Sequence, residues 1–182
     1  MRVIAGKYRG RVLASFEGKD VRPTSDRVKE SLFAILTPRL SQAAALDLFC
    51  GSGSLGIECL SRGASFVQFN DVAPESLAIL KKNLSALREE ALVTRADYRV
   101  CLQNLRRKFD LIFLDPPYAL QAEAKDALER IARLRCLEEG GVAVYECETA
   151  APEAEGLECF DTRSYGRTKL HFYRYPREEG NL

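Results

Sequence analysis

Residues 46–64 read LDLFCGSGSLGIECLSRGA: an apolar run, a glycine-rich turn, then the start of a helical pattern. Residues 46–49 form a short strand buried on both faces. Gly51, Gly53 and Gly56 make G-x-G-x-x-G between that strand and a helix, a context that strengthens an otherwise weak pattern. Asp71 follows Gly51 by 20 residues, at the end of the next strand, Phe66 to Asn70. An acid there hydrogen-bonds ribose hydroxyls, so the stretch predicts an adenosine-bearing ligand bound as in a Rossmann fold. A nicotinamide dinucleotide and S-adenosylmethionine both meet that description.

Asp47 separates the two ligands. It stands between Leu46 and Leu48, four residues before Gly51. A carboxylate at this point suits a cation such as the amine of a methionine moiety, and it repels a pyrophosphate. The residues therefore favour S-adenosylmethionine.

A second strand end carries chemistry. Residues 110–118 read DLIFLDPPY. Leu111 to Leu114 form a strand that Pro116 and Pro117 stop, since neither can donate to a ladder. Asp115 is thereby fixed at a carboxyl end, because each proline locks its own φ and restricts the residue before it. Such a tip suits a flat base with an exocyclic amine. Tyr118 would stack on the ring while the Asp115 carboxylate and the Pro116 carbonyl accept the two N–H hydrogens. The amine's lone pair is delocalised into the ring, and two fixed acceptors turn it toward an electrophile. Asp115, Pro116, Pro117 and Tyr118 are the candidate catalytic residues. Alone, these four also fit a strand end with a turn Asp and a core Tyr; the glycine turn beside them decides for chemistry.

Outward from these strands the chain alternates between strand and helix. Residues 22–36, RPTSDRVKESLFAIL, predict a helix capped by Thr24 or Ser25 with Val28, Leu32, Ile35 and Leu36 inward, ended by Pro38. Pro74 opens a helix with Leu77, Leu80, Leu84 and Leu87 on one face. Residues 91–95 form a strand leading to Asp97, an acceptor for an adenine amine, and residues 99–107 a short helix. Residues 122–135 predict a helix with Ala124, Leu128, Ile131 and Leu134 inward, stopped by EEGG at 138–141, before a strand at 142–145. Residues 157–161 and 168–175 close the sheet, with Leu170, Phe172 and Arg174 sharing a face. The fold class is α/β, one doubly wound domain. Ahead of it, residues 2–5 and 11–14 flank GKYRG as a hairpin. The expected division is a basic β-hairpin extension at 1–20 and the main domain at 21–182.

The net charge of +1 is unevenly spread. Residues 1–40 hold nine Lys/Arg against four Asp/Glu, and residues 162–177 hold four Arg and one Lys with no acid. Basic termini predict a polyanionic partner. Lys7, Tyr8, Arg9 and Arg11 mix an aromatic ring with cations as single-stranded RNA sites do, and Arg22, Arg27, Arg167 and Lys169 extend the basic surface. Six cysteines without a C-x-x-C pair and a single histidine, His171, suggest neither a metal site nor a disulfide framework. No signal-peptide core and no apolar run near ~18 residues is present, which predicts a cytoplasmic protein without a membrane span.

The stretches MRVIAGKYRGRVL, RPTSDRVKESLFAIL, LDLFCGSGSLGIECLSRGA, FDLIFLDPPY and YGRTKLHFYR make the chain resemble class I S-adenosylmethionine-dependent methyltransferases. More narrowly, it is similar to the RsmD family, which methylates the exocyclic amine of one guanine in small-subunit (16S) ribosomal RNA. The resemblance runs from the first residue to about Tyr175. It implies a Rossmann-like seven-stranded sheet, the hairpin extension, S-adenosylmethionine as cofactor, and small-subunit ribosomal RNA or an assembling small subunit as partner of a monomeric enzyme. It implies Asp47, Phe49, Gly51 and Gly53 on the methionine and ribose side, Asp71 on the ribose hydroxyls, and Asp97 on the adenine. Asp115 to Tyr118 would meet the target base, with Asp115 also bordering the cofactor. Two positions depart from the family pattern: Asp71 stands where Glu is usual, and Ala73 where a second Asp is usual.

Three rivals share parts of this pattern. A DNA adenine or cytosine amino-methyltransferase would use the same DPPY tip, but 182 residues leave little room for its target-recognition region. An NAD-dependent oxidoreductase would share the glycine turn and has only His171 as a conventional proton donor. A non-catalytic RNA-binding assembly factor has no need of Asp47, Asp71 and Asp115 together.

Overall fold

The computed structural model describes residues 1–16 and 26–177. Seven strands, β1 (Ala44–Asp47), β2 (Phe66–Asn70), β3 (Leu92–Thr94), β4 (Phe109–Leu114), β5 (Leu137–Cys147), β6 (Glu158–Tyr165) and β7 (Thr168–Arg174), form a sheet in the order β3-β2-β1-β4-β5-β7-β6. The first five run parallel, and β7 is antiparallel to both β5 and β6. Among the described residues, α1 (Asp26–Leu36) precedes β1, and α2 (Ser54–Ser61), α3 (Pro74–Leu87), α4 (Tyr98–Gln103) and α5 (Ala124–Arg133) connect the parallel strands. Strand order reverses between β1 and β4, so a crevice opens outside the carboxyl ends at that point.

Alternation along the strands serves two cores. Ala45, Phe69, Leu111, Phe113, Val142 and Val144 pack under α1, α2 and α3. Leu46, Ile112, Leu114, Ala143 and Tyr145 pack under α4 and α5. Both faces being covered, these strands read as continuous apolar runs in sequence.

The N-terminal hairpin is reduced to one antiparallel bridge, Arg2 to Val12, with Val3 and Leu13 buried in the first core. Its loop is seated on α2. Lys7 N–H donates to Ser61 O at 2.8 Å, and a Cβ at Gly6 (φ +82°) would lie 1.9 Å from that oxygen, so only glycine fits. The Glu58 carboxylate accepts Ile4 N–H and Ala5 N–H, each at 2.9 Å. Lys29 Nζ lies 3.3 Å from Glu58 and donates to Arg2 O at 2.5 Å and to Ser54 Oγ at 3.1 Å. Both side chains are fully buried, and burial pulls the Lys29 pKa down against the opposing pull of Glu58.

Three expectations are corrected. On α1 the buried residues are Val28, Lys29, Leu32, Phe33 and Leu36, while Ile35 is exposed, because the Glu58 pairing draws Lys29 inward and rotates the stripe. On α5, Leu134 is exposed, and the helix is followed by Arg135 in the left-handed region at φ +53°. EEGG therefore does not stop that helix. It lies inside β5 as an irregularity: Phe109 pairs with Leu137, then Leu111 with Val142, and the extra residues bulge out with Gly140 at φ +74°. The expected caps Thr24 and Ser25 lie outside the described residues.

Candidate active site

A cavity of about 860 Å³ opens at the carboxyl ends of the strands. Asp47, the last residue of β1, lines it and is buried, its Oδ2 accepting Gly56 N–H at 2.9 Å. Burial pushes its carboxyl up to about 7, with the Gly56 N–H opposing and the Asp71 charge adding to the rise. Asp71 follows β2, and its two oxygens accept Gly51 N–H and Ala73 N–H, each at 2.9 Å. The shorter acid is thus pinned between the glycine turn and the start of α3.

The three glycines divide their work. A Cβ on Gly51 (φ +53°) would project into the cavity, its nearest neighbour being the Phe16 ring at 3.9 Å. A Cβ on Gly53 (φ +86°) would stand 2.3 Å from Leu80, and one on Gly56 2.3 Å from Phe69. Gly53 and Gly56 therefore let α2 approach its neighbours, and the described cavity wall includes Gly51 but not Gly53. Phe49 lines the cavity with its ring 5.6 Å from Tyr98. Asp97 also lines it while capping α4, its Oδ1 accepting Arg99 N–H at 2.9 Å.

Asp115 is half-buried just beyond β4, and Pro116 is buried while Pro117 is exposed; all three line the cavity. Tyr118 opens a 3-10 turn, Tyr118–Glu123, and its side chain lies outside the described residues, as does Arg22. Sequence reasoning missed two groups here. Asn70 is buried at the end of β2, donating to Leu48 O and Ala96 O at 3.1 Å and accepting the Thr94 hydroxyl at 2.9 Å. It staples the ends of β1, β2 and β3. Glu146 and Glu148 reach the cavity from the end of β5. Glu146 interrupts the apolar run Val142 to Cys147 at a strand end, the same signal that marked Asp115.

Among the described residues no Lys or Arg lines the cavity, and the basic residues singled out in the sequence fall into two groups away from its wall. Lys7 and Tyr8 both bond the Glu89 carboxylate, whereas Arg9, Arg11 and Arg27 are exposed. Arg167 is exposed in the turn joining β6 to β7, between Tyr165 and Thr168, and Lys169 is half-buried on β7. Met1, Ser15 and Phe16 from one end of the chain, and Tyr165 and Thr168 from the other, line the same cavity. His171 does not line it; its ring nitrogens pair with the Thr162 hydroxyl at 2.9 Å and Thr149 O at 3.1 Å, and burial lowers its pKa.

The model of the family described as Conserved hypothetical protein 95 matches residues 1–174. The chain belongs to the RsmD family of ribosomal RNA methyltransferases. Bacillus subtilis YlbH is 40% identical over 182 residues, covering 96% of this chain and 98% of YlbH. Haemophilus influenzae Ribosomal RNA small subunit methyltransferase D is 39% identical over 158 residues, covering 84% of this chain and 81% of its own length. Among solved structures, Escherichia coli yhhF superposes with a TM-score of 0.85 at 27% identity, over 96% of this chain and 97% of yhhF. The Haemophilus influenzae methylase HI0767 gives 0.79 at 33% identity, over 97% and 98%. The seven-stranded sheet is the class I methyltransferase fold. In this RsmD-family chain Asp47, Phe49, Gly51, Asp71, Asp97, Asp115 and Pro116 face one cavity. Among the described residues, no helix is long and apolar enough to cross a membrane.

Proposed function

We propose that this chain transfers a methyl group from S-adenosylmethionine to the exocyclic amine of a guanine in small-subunit ribosomal RNA. One observation carries the reading. A single cavity spans the switch point between β1 and β4, lined by the glycine turn, Asp71, Asp115 and Pro116, with Met1 and Phe16 from one end of the chain and Tyr165 and Thr168 from the other closing on it. Relatives named Ribosomal RNA small subunit methyltransferase D supply the substrate class.

The residues present fit the methyl donor. Gly51 leaves a wall without a Cβ, Asp47 is an acid that a neighbouring cation would ionise, and each Asp71 oxygen keeps a second lone pair for a ribose hydroxyl. When bound, S-adenosylmethionine supplies an electrophilic methyl group on a sulfonium. The chain's own task is to present the nucleophile. Asp115 and the Pro116 carbonyl accept the two amine hydrogens and aim the nitrogen lone pair along the line of transfer. As the carbon–nitrogen bond forms, the methyl carbon–sulfur bond would break with its electron pair left on the departing thioether, and the amine proton passes to the Asp115 carboxylate. The target base is swung out of its stack, since a paired base hides its amine. We assign residues 1–20 as the extension that grips RNA and 21–182 as the catalytic domain, working as a cytoplasmic monomer.

The test is transfer of radiolabelled methyl from S-adenosylmethionine to under-methylated small subunits, naked ribosomal RNA and duplex DNA, followed by nucleoside analysis. Label in N2-methylguanosine from a ribosomal substrate supports the reading. Label confined to adenine or cytosine of DNA overturns it in favour of the rival amino-methyltransferase.

A further inference from the structure

The substrate end of the cavity holds an acid that the chemistry above does not use. Along β5, Val142 and Val144 pack in the first core while Ala143 and Tyr145 pack in the second, so Glu146 continues the Val142–Val144 face. Its partner across to β7 is Leu170, which also packs in the first core. On β4, Leu111 and Phe113 occupy that same face, and Asp115 is the next residue in the series. Leu114 pairs with Tyr145, so Asp115 and Glu146 are neighbours on adjacent parallel strands, whose backbones run about 5 Å apart. Both line the cavity.

We propose that Glu146 is the residue that selects guanine, accepting its ring N1–H while Asp115 holds the adjoining amine. This rests on the proposed base amino-methylation and names the part of the site that chooses the base. Guanine offers two donors side by side, N1–H and the 2-amino group. Adenine places an acceptor nitrogen beside its amine, and so does cytosine. An ionised carboxylate can only accept, so it forms a charge-assisted bond to the guanine edge and faces the lone pair of an adenine or cytosine edge. The Asp115 tip suits any of the three amines. The second carboxylate, one strand away on the same face, supplies the discrimination that the tip lacks.

The test substitutes 2-aminopurine for the target guanine, whose position is first mapped from the methylated product. 2-Aminopurine keeps the 2-amino group and turns N1 into an acceptor. Small subunits are reconstituted with either RNA and methylated by the wild type, Glu146→Gln and Glu146→Asp. The wild type is expected to favour guanine by roughly 100-fold in kcat/KM, the penalty for exchanging a charge-assisted bond for a carboxylate set against a ring lone pair. Glu146→Gln can turn an amide N–H toward the N1 lone pair, so the preference should fall below about tenfold while guanine methylation itself slows. Glu146→Asp keeps the charge and should retain the preference at a lower rate. S-Adenosylmethionine affinity by calorimetry and the thermal midpoint should stay at wild-type values in both variants. An unchanged guanine to 2-aminopurine ratio in Glu146→Gln, with the wild type active, overturns the role of Glu146 alone. Absence of N2-methylguanosine from the wild-type reaction overturns the parent reading and this one with it.

Discussion

Asp47→Asn exchanges a buried carboxyl for an amide of the same shape, whose oxygen still accepts the Gly56 N–H. In the folded chain this acid titrates near 7, against an ordinary value of 3.8. Between those values the folded state keeps a proton that the unfolded chain has released. The group's contribution to stability is therefore full below 3.8 and is lost as pH rises through about 7. At about 1.4 kcal/mol for each tenfold change in proton affinity, the loss amounts to roughly 4 kcal/mol by pH 8. By pH 5 only roughly 1.5 kcal/mol of it has been lost. The Asn variant carries no such loss. Urea unfolding followed by circular dichroism at pH 5 and pH 8 reads the difference, and comparing variant with wild type at each pH cancels other titrating groups such as His171. The advantage of the variant is expected to grow by roughly 3 kcal/mol between the two pH values. The same substitution should weaken S-adenosylmethionine binding at pH 8 by about tenfold or more, the worth of a charged hydrogen bond. Wild-type affinity should rise between pH 6 and pH 8 while that of the variant stays flat. A pH-independent stability difference would refute the reasoning, because Asp47 would then be ionised throughout.

Three further outcomes follow from contacts described above. Glu58→Gln leaves Lys29 buried without its counter-charge and is expected to cost roughly 3 kcal/mol in urea unfolding, with faster hydrogen exchange at Ile4 and Ala5, whose N–H groups it holds. Gly56→Ala drives a methyl group to 2.3 Å from the Phe69 ring and should lower stability by about 1–3 kcal/mol in thermal melts. Replacing Arg9 and Arg11 together by Ala should weaken RNA binding across sequences and reduce the salt slope by roughly one per residue in filter-binding titrations, with S-adenosylmethionine affinity unchanged.

Much of the parallel half of the sheet was legible because its signals are local. Phe66–Asn70 and the helix from Pro74 have the bounds their periodicity and proline predict, and Asp71 stands at the end of that strand, on the cavity wall. What escaped was set by partners distant in sequence. Lys29 counts as polar in any helical pattern, yet Glu58, on another helix, brings it inside and moves the buried face from Ile35 to Phe33. EEGG carries every mark of a turn, but β4 draws Leu137 into the sheet ahead of it, so the glycines become a bulge within β5. Gly53 belongs to the glycine pattern while its freedom is spent against Leu80 on α3, a contact no spacing rule contains. Glu146 was overlooked because a lone acid among apolar residues acquires meaning only when the neighbouring strand end carries Asp115.

Asp115, as the group proposed to hold the reacting amine, is central to the proposed reaction. Single-turnover transfer of labelled methyl to under-methylated small subunits, compared between wild type and Asp115→Ala with S-adenosylmethionine affinity measured alongside, tests it most directly. The expected result is a loss of at least roughly 100-fold in the transfer rate, with cofactor affinity nearly intact. Transfer at a wild-type rate in the variant would contradict the assignment and move the chemistry to another part of the cavity.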